Sequence, residues 1–122
     1  MKRILFVDDD ENIRLLYEEE FSDEGYQVHL AASGQEAIDK VRELKPDAVV
    51  MDIRMPGMNG LDAMSRIVGE FNTIPIVINS AYSHYKSDFS SWLADAYVIK
   101  SFDLTELKKA IQEVLTRPEG KK

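Results

Sequence analysis

The chain contains no cysteine, which excludes disulfides, thiol nucleophiles and cysteine-ligated zinc and agrees with a reducing compartment, the cytoplasm. A basic excess is also missing. Fifteen lysine and arginine residues against 22 aspartate and glutamate leave a net charge of −7, the wrong sign for direct binding to nucleic acid or to an anionic membrane. Proteins are the partners this charge leaves open. No stretch approaches the roughly 18 consecutive apolar residues of a spanning helix, and Met1-Lys2-Arg3-Ile4 runs straight into a strand pattern rather than a signal peptide, so the protein is expected to be soluble and unprocessed. Repeats, low-complexity tracts and internal linkers are absent, and 122 residues give room for a single core. One site is the expectation.

What the sequence does have is a series of short apolar runs alternating with helical patterns. After Ile4-Leu5-Phe6-Val7, the residues Ile13, Leu16, Tyr17 and Phe21 recur at helical spacing from Asn12 to Glu24, with Asp10 as cap and Gly25 as stop. Tyr26, Val28 and Leu30 alternate with Gln27, His29 and Ala31, the period of a half-exposed strand at a sheet edge. Ser33-Gly34-Gln35-Glu36 has the form of a capping box, opening a helix that buries Ala37, Ile38, Val41 and Leu44 and ends at Pro46. The run Ala48 to Met51 is apolar on both parities, as a central strand covered on both faces would be. Pro56-Gly57 and Asn59-Gly60 mark turns ahead of a helix bearing Leu61, Met64, Ile67, Val68 and Phe71.

A fourth strand follows Pro75 through Ile76-Val77-Ile78-Asn79. Tyr85, Phe89 and Trp92 keep helical spacing in 82–93, where serines lower the propensity, so a short fourth helix is expected there. Tyr97-Val98-Ile99 gives the last strand, and Asp103 and Glu106, at cap and N3 spacing, open a last helix striped by Leu104, Leu107, Ile111 and Val114. Residues 1–116 form the expected domain, with 117–122 an exposed tail or the start of a linker. Repeated strand-then-helix units imply an α/β fold: a doubly wound, five-stranded parallel sheet with right-handed crossovers and helices on both faces.

Chemistry-bearing side chains close these runs. Asp8 and Asp9 follow the first, Asp52 the third, Ser80 the fourth and Lys100 the fifth. In open parallel sheets the ligand crevice lies beyond the carboxyl ends of the strands, so all five fall on one rim. Three carboxylates that close together call for a hard divalent cation, magnesium foremost, or for strongly raised pKa values. Carboxylates, hydroxyl and ammonium together are the groups phosphoryl chemistry uses. Plainer readings hold elsewhere: Asp10 is a helix cap, His29 and His84 are not ligands, Met51, Met55, Met58 and Met64 are packing residues, and Glu18-Glu19-Glu20 is a solvated face.

On Ile4-Leu5-Phe6-Val7-Asp8-Asp9-Asp10, on Val49 through Gly60, and on Ser80-Ala81, Tyr97 and Lys100, the chain resembles the receiver domain of two-component response regulators over nearly its whole length. The resemblance implies a flavodoxin-like sheet of order 2-1-3-4-5 and phosphorelay signalling rather than turnover of a substrate. Asp52 would be the phosphoacceptor. Asp8 and Asp9 would hold Mg2+ with Asp52 and the backbone carbonyl of Arg54, Asp9 being the main direct ligand. Lys100 and the Ser80 hydroxyl would contact the phosphoryl oxygens, and Ser80 with Tyr97 would form a switch that reshapes the face made by the expected fourth helix, the last strand and the last helix. The implied partners are a sensor histidine kinase or phosphotransfer protein as donor and an output protein or domain as receiver of the signal. The domain would assist its own magnesium-dependent phosphotransfer and autodephosphorylation, with Arg54 and Tyr82 placed to shield the acyl phosphate from water.

One position departs from the family pattern, which has proline after its lysine in a cis peptide; here it is Ser101. A cis bond without proline costs about 3 kcal/mol, so the Lys100–Ser101 peptide is expected to be trans. The alternative function is a receiver-like module that works by protein contacts without phosphorylation. A hydrolase with an aspartyl intermediate would need cap elements for which the chain has no room, and a flavin carrier would need phosphate donors where Asp8-Asp9-Asp10 repels phosphate.

Overall fold

The computed structural model describes residues 1–53, 57, 60–71, 73–81, 94–101 and 103–116, with Leu61 described by its backbone alone. The helix expected over 82–93, and with it Tyr82 and Trp92, lies outside the described residues, as do Arg54, Met55, Met58, His84 and the segment 117–122. Five strands, β1 (Arg3–Val7), β2 (Gln27–Ala31), β3 (Ala48–Met51), β4 (Ile76–Ser80) and β5 (Ala96–Ile99), form one parallel sheet in the order β2-β1-β3-β4-β5. Four described helices accompany them: α1 (Glu11–Asp23), α2 (Gly34–Leu44), α3 (Gly60–Glu70) and α4 (Thr105–Thr116). The order expected from the resemblance is the order found. No described helix is long and apolar enough to cross a membrane.

Strand parity divides the core into two layers. Leu5, Val7, Val49, Met51, Ile76 and Ile78 pack with Ala37, Ile38 and Val41 of α2 and with Ala63, Met64 and Ile67 of α3. Ile4, Phe6, Val50, Val77 and Val98 point the other way, onto Tyr17 and Phe21 of α1 and Leu107, Ile111 and Val114 of α4. Every residue of β3 and β4 is buried, which is why their sequences show no polar alternation. Leu44, expected on the buried side of α2, is half-buried, and Phe71 lies one residue beyond α3, half-buried against the same layer.

Local signals set the helix ends. The Asp10 carboxylate accepts from the amides of Asn12 and Ile13, and Gly25 follows the end of α1 at φ +96°. Glu36 N–H donates to Ser33 Oγ, while the Glu36 carboxylate reaches back to Ala32 N–H instead of the cap residue's own amide. α2 stops at Lys45, whose φ of +47° is left-handed, ahead of Pro46. At α4 the first helical bond runs from Lys108 N–H to Leu104 O, so the cap falls one residue later than expected and Asp103 supports it by accepting from Thr105 N–H.

Two sequence readings need correction. Glu20 is not simply a solvated charge: its carboxylate lies 3.3 Å from Lys108 Nζ, which also stands 3.6 Å from Glu24, tying α1 to α4. His29, read as lying on the polar side of an edge strand, is half-buried, and its Nε2 has no hydrogen-bond partner among the described residues. The reason is that α2 covers this side of β2, where Ala31 is also buried.

Two stability outcomes follow from these contacts. Phe21 is fully buried between Phe6 and Tyr17, so Phe21→Ala should cost about 3–5 kcal/mol in urea denaturation, because a core void forms. Leu15→Ala, at a residue 53 % exposed, should change stability by no more than about 0.5 kcal/mol in the same measurement. Burial, then the charges of Arg3 and Lys40, lower the His29 pKa in the folded state. The unfolded chain therefore binds more protons in acid, so this contribution is complete above about pH 6.5 and is lost as pH falls toward the folded-state pKa. Between about pH 7.5 and about pH 5.5 the wild-type urea midpoint should fall further than that of His29→Leu, and equal falls would refute the assignment.

Candidate functional site

The sheet order reverses direction at β1, which has β2 on one side and β3 on the other, and it is beyond the carboxyl ends of such strands that a crevice opens. Val7 pairs with Met51 across β1 and β3, so the next residues, Asp8 and Asp52, come side by side. Their main chains are fixed by hydrogen bonds from Asp8 N–H to Ala31 O at 3.1 Å and from Asp52 N–H to Val7 O at 3.0 Å. One carboxylate oxygen from each of Asp8, Asp9 and Asp52 lies within 4.8 Å of the others. Asp8 and Asp52 are buried and Asp9 is exposed. This donor set, two oxygens from the floor and one from the rim, suits a small hard cation that keeps part of its water shell.

Lys100 supplies what the sequence reading lacked. Leaving β5, its Nζ donates to Asp8 Oδ2 at 2.7 Å and to Asp52 Oδ2 at 3.1 Å. Burial alone would lower the lysine pKa, but hydrogen bonds and charge attraction from Asp8 and Asp52 outweigh it and hold the ammonium above its ordinary value. One ammonium among the three carboxylates of Asp8, Asp9 and Asp52 still leaves an excess of negative charge, so the divalent cation expected from the sequence keeps its place beside Lys100. Asp8 is further held by Asp10 N–H donating to its Oδ1 at 2.9 Å and by Arg14 donating to its carbonyl at 2.8 Å.

Ser80 ends β4 and is fully buried; its carbonyl accepts from Lys100 N–H at 2.7 Å. Register pairs Ile78 with Tyr97 and Ser80 with Ile99, so Ser80 and Tyr97 lie on the same face of neighbouring strands, one pleat apart. Tyr97 is half-buried and packs against the α2–α3 layer. The Lys100–Ser101 peptide is trans, as the missing proline led one to expect, and Ser101 Oγ accepts from Asp103 N–H at 3.1 Å. Arg54, whose carbonyl was expected to complete the metal site, lies outside the described residues.

Three residues of this region were not singled out by sequence reasoning. Gly60 opens α3 with its N–H donating to Ile53 O at 2.7 Å, and a Cβ there would run into the backbone carbonyl of Asp52 and Cα of Ile53. In the sequence the Asn59-Gly60 pair marks a turn and closes the stretch that carries the family resemblance, neither of which points to this close approach. Asn79 was counted within an apolar run, yet its buried amide donates to Tyr17 Oη at 2.6 Å. Tyr17 itself was read as one more residue of a helical stripe.

The chain matches the response regulator receiver domain family over residues 4–112. It is 34% identical to sporulation initiation phosphotransferase F of Bacillus subtilis, over 93% of this chain and 94% of that protein. It is 35% identical to the regulatory protein AtoC of Escherichia coli, matching all of this chain but only 27% of AtoC. Among solved structures, the response regulator protein TrrA of Thermotoga maritima, in complex with Mg2+-BeF, superposes with a TM-score of 0.91 at 46% identity, covering 93% of this chain and 99% of that one. TrrA in complex with the histidine kinase ThkA gives a TM-score of 0.90 at 46% identity, covering 95% of this chain and all of that one.

Because the obstructing atoms at Gly60 are backbone, Gly60→Ala must displace the peptide of Asp52 or the start of α3. It should destabilise the fold by about 1–3 kcal/mol in urea denaturation, as overpacking does. A variant as stable as wild type would show that the close approach is relieved at no cost.

Proposed function

Since the chain belongs to the response regulator receiver domain family, the signalling domains of phosphorelays, we propose that it accepts a phosphoryl group on Asp52 from a phosphohistidine of a sensor kinase or phosphotransfer protein. The observation that carries this reading is the Lys100 ammonium held between Asp8 and Asp52, with Asp9 within metal-sharing reach of both. Such a constellation has no role in packing the core, since replacing buried ion pairs by apolar residues is often neutral or stabilising.

An Asp52 oxygen attacks phosphorus in line; the bond from phosphorus to the donor's imidazole nitrogen breaks, and its electron pair stays with that nitrogen. Asp8, Asp9 and Asp52, with the Arg54 carbonyl that the family pattern adds, would hold Mg2+, which when bound neutralises phosphoryl charge and draws the oxygens into alignment. Lys100 exchanges its bond with the Asp52 carboxylate for one to a phosphoryl oxygen and keeps its bond to Asp8. The Ser80 hydroxyl donates to another phosphoryl oxygen. Hydrolysis of the acyl phosphate by the domain itself, slowed by Arg54 and Tyr82, resets the state.

The signal passes through Ser80 and Tyr97. Drawing the Ser80 hydroxyl toward the phosphoryl group changes the space available one pleat below, where Tyr97 stands on the neighbouring strand, and the surface around β5 and α4 shifts to favour an output protein by the difference in affinity between the two states. Residues 1–116 make up the receiver unit, 117–122 lead out of it, and the cytoplasm, where thiol-free acidic domains of this kind meet their kinases, is its compartment. A phosphorylation-independent binding module gains no support from a rim that keeps its acid and ammonium groups together.

Incubation with acetyl phosphate and Mg2+ should raise the intact mass by one phosphoryl group, and Asp52→Asn should abolish the increase. Undiminished labelling of Asp52→Asn would overturn the assignment. Mg2+ should also raise the melting temperature by mass action, and Asp9→Ala should remove most of that rise. Identical shifts in wild type and Asp9→Ala would place the metal elsewhere.

A further inference from the structure

The Lys100 side chain has an unusual distance to cover. Its strand, β5, is two places from β3 and three from β1, and neighbouring strands stand about 4.8 Å apart. To reach Asp52 and Asp8 the lysine must pass over the end of β4. Parity says which residue lies under that path. Val77 and Val98 face the α1–α4 layer, so Asn79 and Lys100, each two residues further on, share that side, and Ser80 faces the opposite one.

The face the lysine crosses therefore carries the Asn79 amide one pleat below Ala81, the residue level with Lys100. Asn79 is 3 % exposed and Tyr17 2 %, and the bond from Asn79 Nδ2 to Tyr17 Oη measures 2.6 Å. Tyr17 is in turn fixed by the rings of Phe6 and Phe21, with centroids 5.2 and 6.1 Å away. Its hydroxyl is close enough to the site to feel the charges of Lys100, Asp8 and Asp52. Core packing asks for none of this, because an aliphatic residue at 79 would continue Val77 with no buried amide to satisfy.

We propose that Asn79 and Tyr17 are a positioning pair: hydrogen-bonded to each other over the aromatic cluster of α1 and β1, they form a rigid polar floor that holds the Lys100 ammonium against Asp8 and Asp52. The inference rests on the role given above to Lys100 in phosphoryl transfer. Tyr17→Phe keeps the ring and its packing and removes the acceptor, leaving the Asn79 amide to turn toward the lysine path. The ammonium then samples positions away from the carboxylates. Alignment of a charged group within a reactive site is steep in distance, and a displacement of about 1 Å can cost on the order of a hundredfold in rate, so a partial loosening should cost about tenfold.

The test uses the full chain, 15N-labelled, as wild type, Tyr17→Phe, Asn79→Val and the double variant, with Lys100→Met to assign the lysine ammonium signal. With saturating Mg2+ and acetyl phosphate, each single variant should be phosphorylated about tenfold more slowly, and the Lys100 ammonium resonance should shift or broaden. The double variant should be no slower than the singles, since one interaction has been removed in all three. It leaves no buried amide unpaired and so keeps the comparison available should a single variant unfold. A wild-type rate together with an unmoved Lys100 signal in Tyr17→Phe, or in the double variant where that is the one that folds, would overturn the proposal. If wild type itself takes up no phosphoryl group, the phosphoacceptor reading fails, while the ammonium signal still decides whether the pair positions the lysine.

Discussion

Two carboxylates buried side by side at the end of a sheet are the constraint around which this molecule is arranged. Asp8 and Asp52 follow adjacent strands with almost no access to water, so two like charges meet with little solvent between them. The Lys100 ammonium, bonded to both, makes the pair tolerable. Its own protonation is strengthened by them against the opposing effect of burial. A buried triad of this kind contributes little net stability, so the fold has to be carried by other parts of the structure.

Those parts are the two apolar layers. Every residue of β3 and β4, and all of β1 after Arg3, is buried, and the covering helices are bound to one another at the surface as well: Arg42 makes paired hydrogen bonds of 2.9 Å with Glu70 between α2 and α3, and Lys108 meets Glu20 and Glu24 between α4 and α1. Exposed pairs of this sort are each worth about 0–1 kcal/mol. Their place is to hold helices in register, while the aromatic cluster of Phe6, Tyr17 and Phe21 and the branched side chains of β3 and β4 supply the burial. Charge at the rim and hydrocarbon below it divide function from stability along a single strand.

The same alternation gives the rim two different sides. Ser80 and Tyr97 stand on one face of adjacent strands and Asn79 and Lys100 on the other. The face with Ser80 and Tyr97 packs against the α2–α3 layer, with Tyr97 half-buried there. The face with Asn79 leads into the packed interior, where movement is resisted.

Much of this was legible in the order of residues. Alternating apolar runs and helical stripes gave the strand and helix sequence, because the periods of 2 and 3.6 are written directly into side-chain polarity. Caps such as Asp10 and Ser33 were readable for the same local reason, and strand-end positions marked Asp8, Asp9, Asp52, Ser80 and Lys100 without knowledge of any contact. Only the tertiary structure decided that Lys100 reaches across β4 to neutralise the acids, that Gly60 must lack a side chain because α3 starts against the Asp52 carbonyl, that Glu20 meets a lysine 88 residues away, and that Asn79 and Tyr17, 62 residues apart, share a buried hydrogen bond. Periodicity reports which face a residue takes, whereas a partner distant in sequence is chosen by the order in which strands assemble, and a single polar residue within an apolar run looks the same whether it is paired or stray.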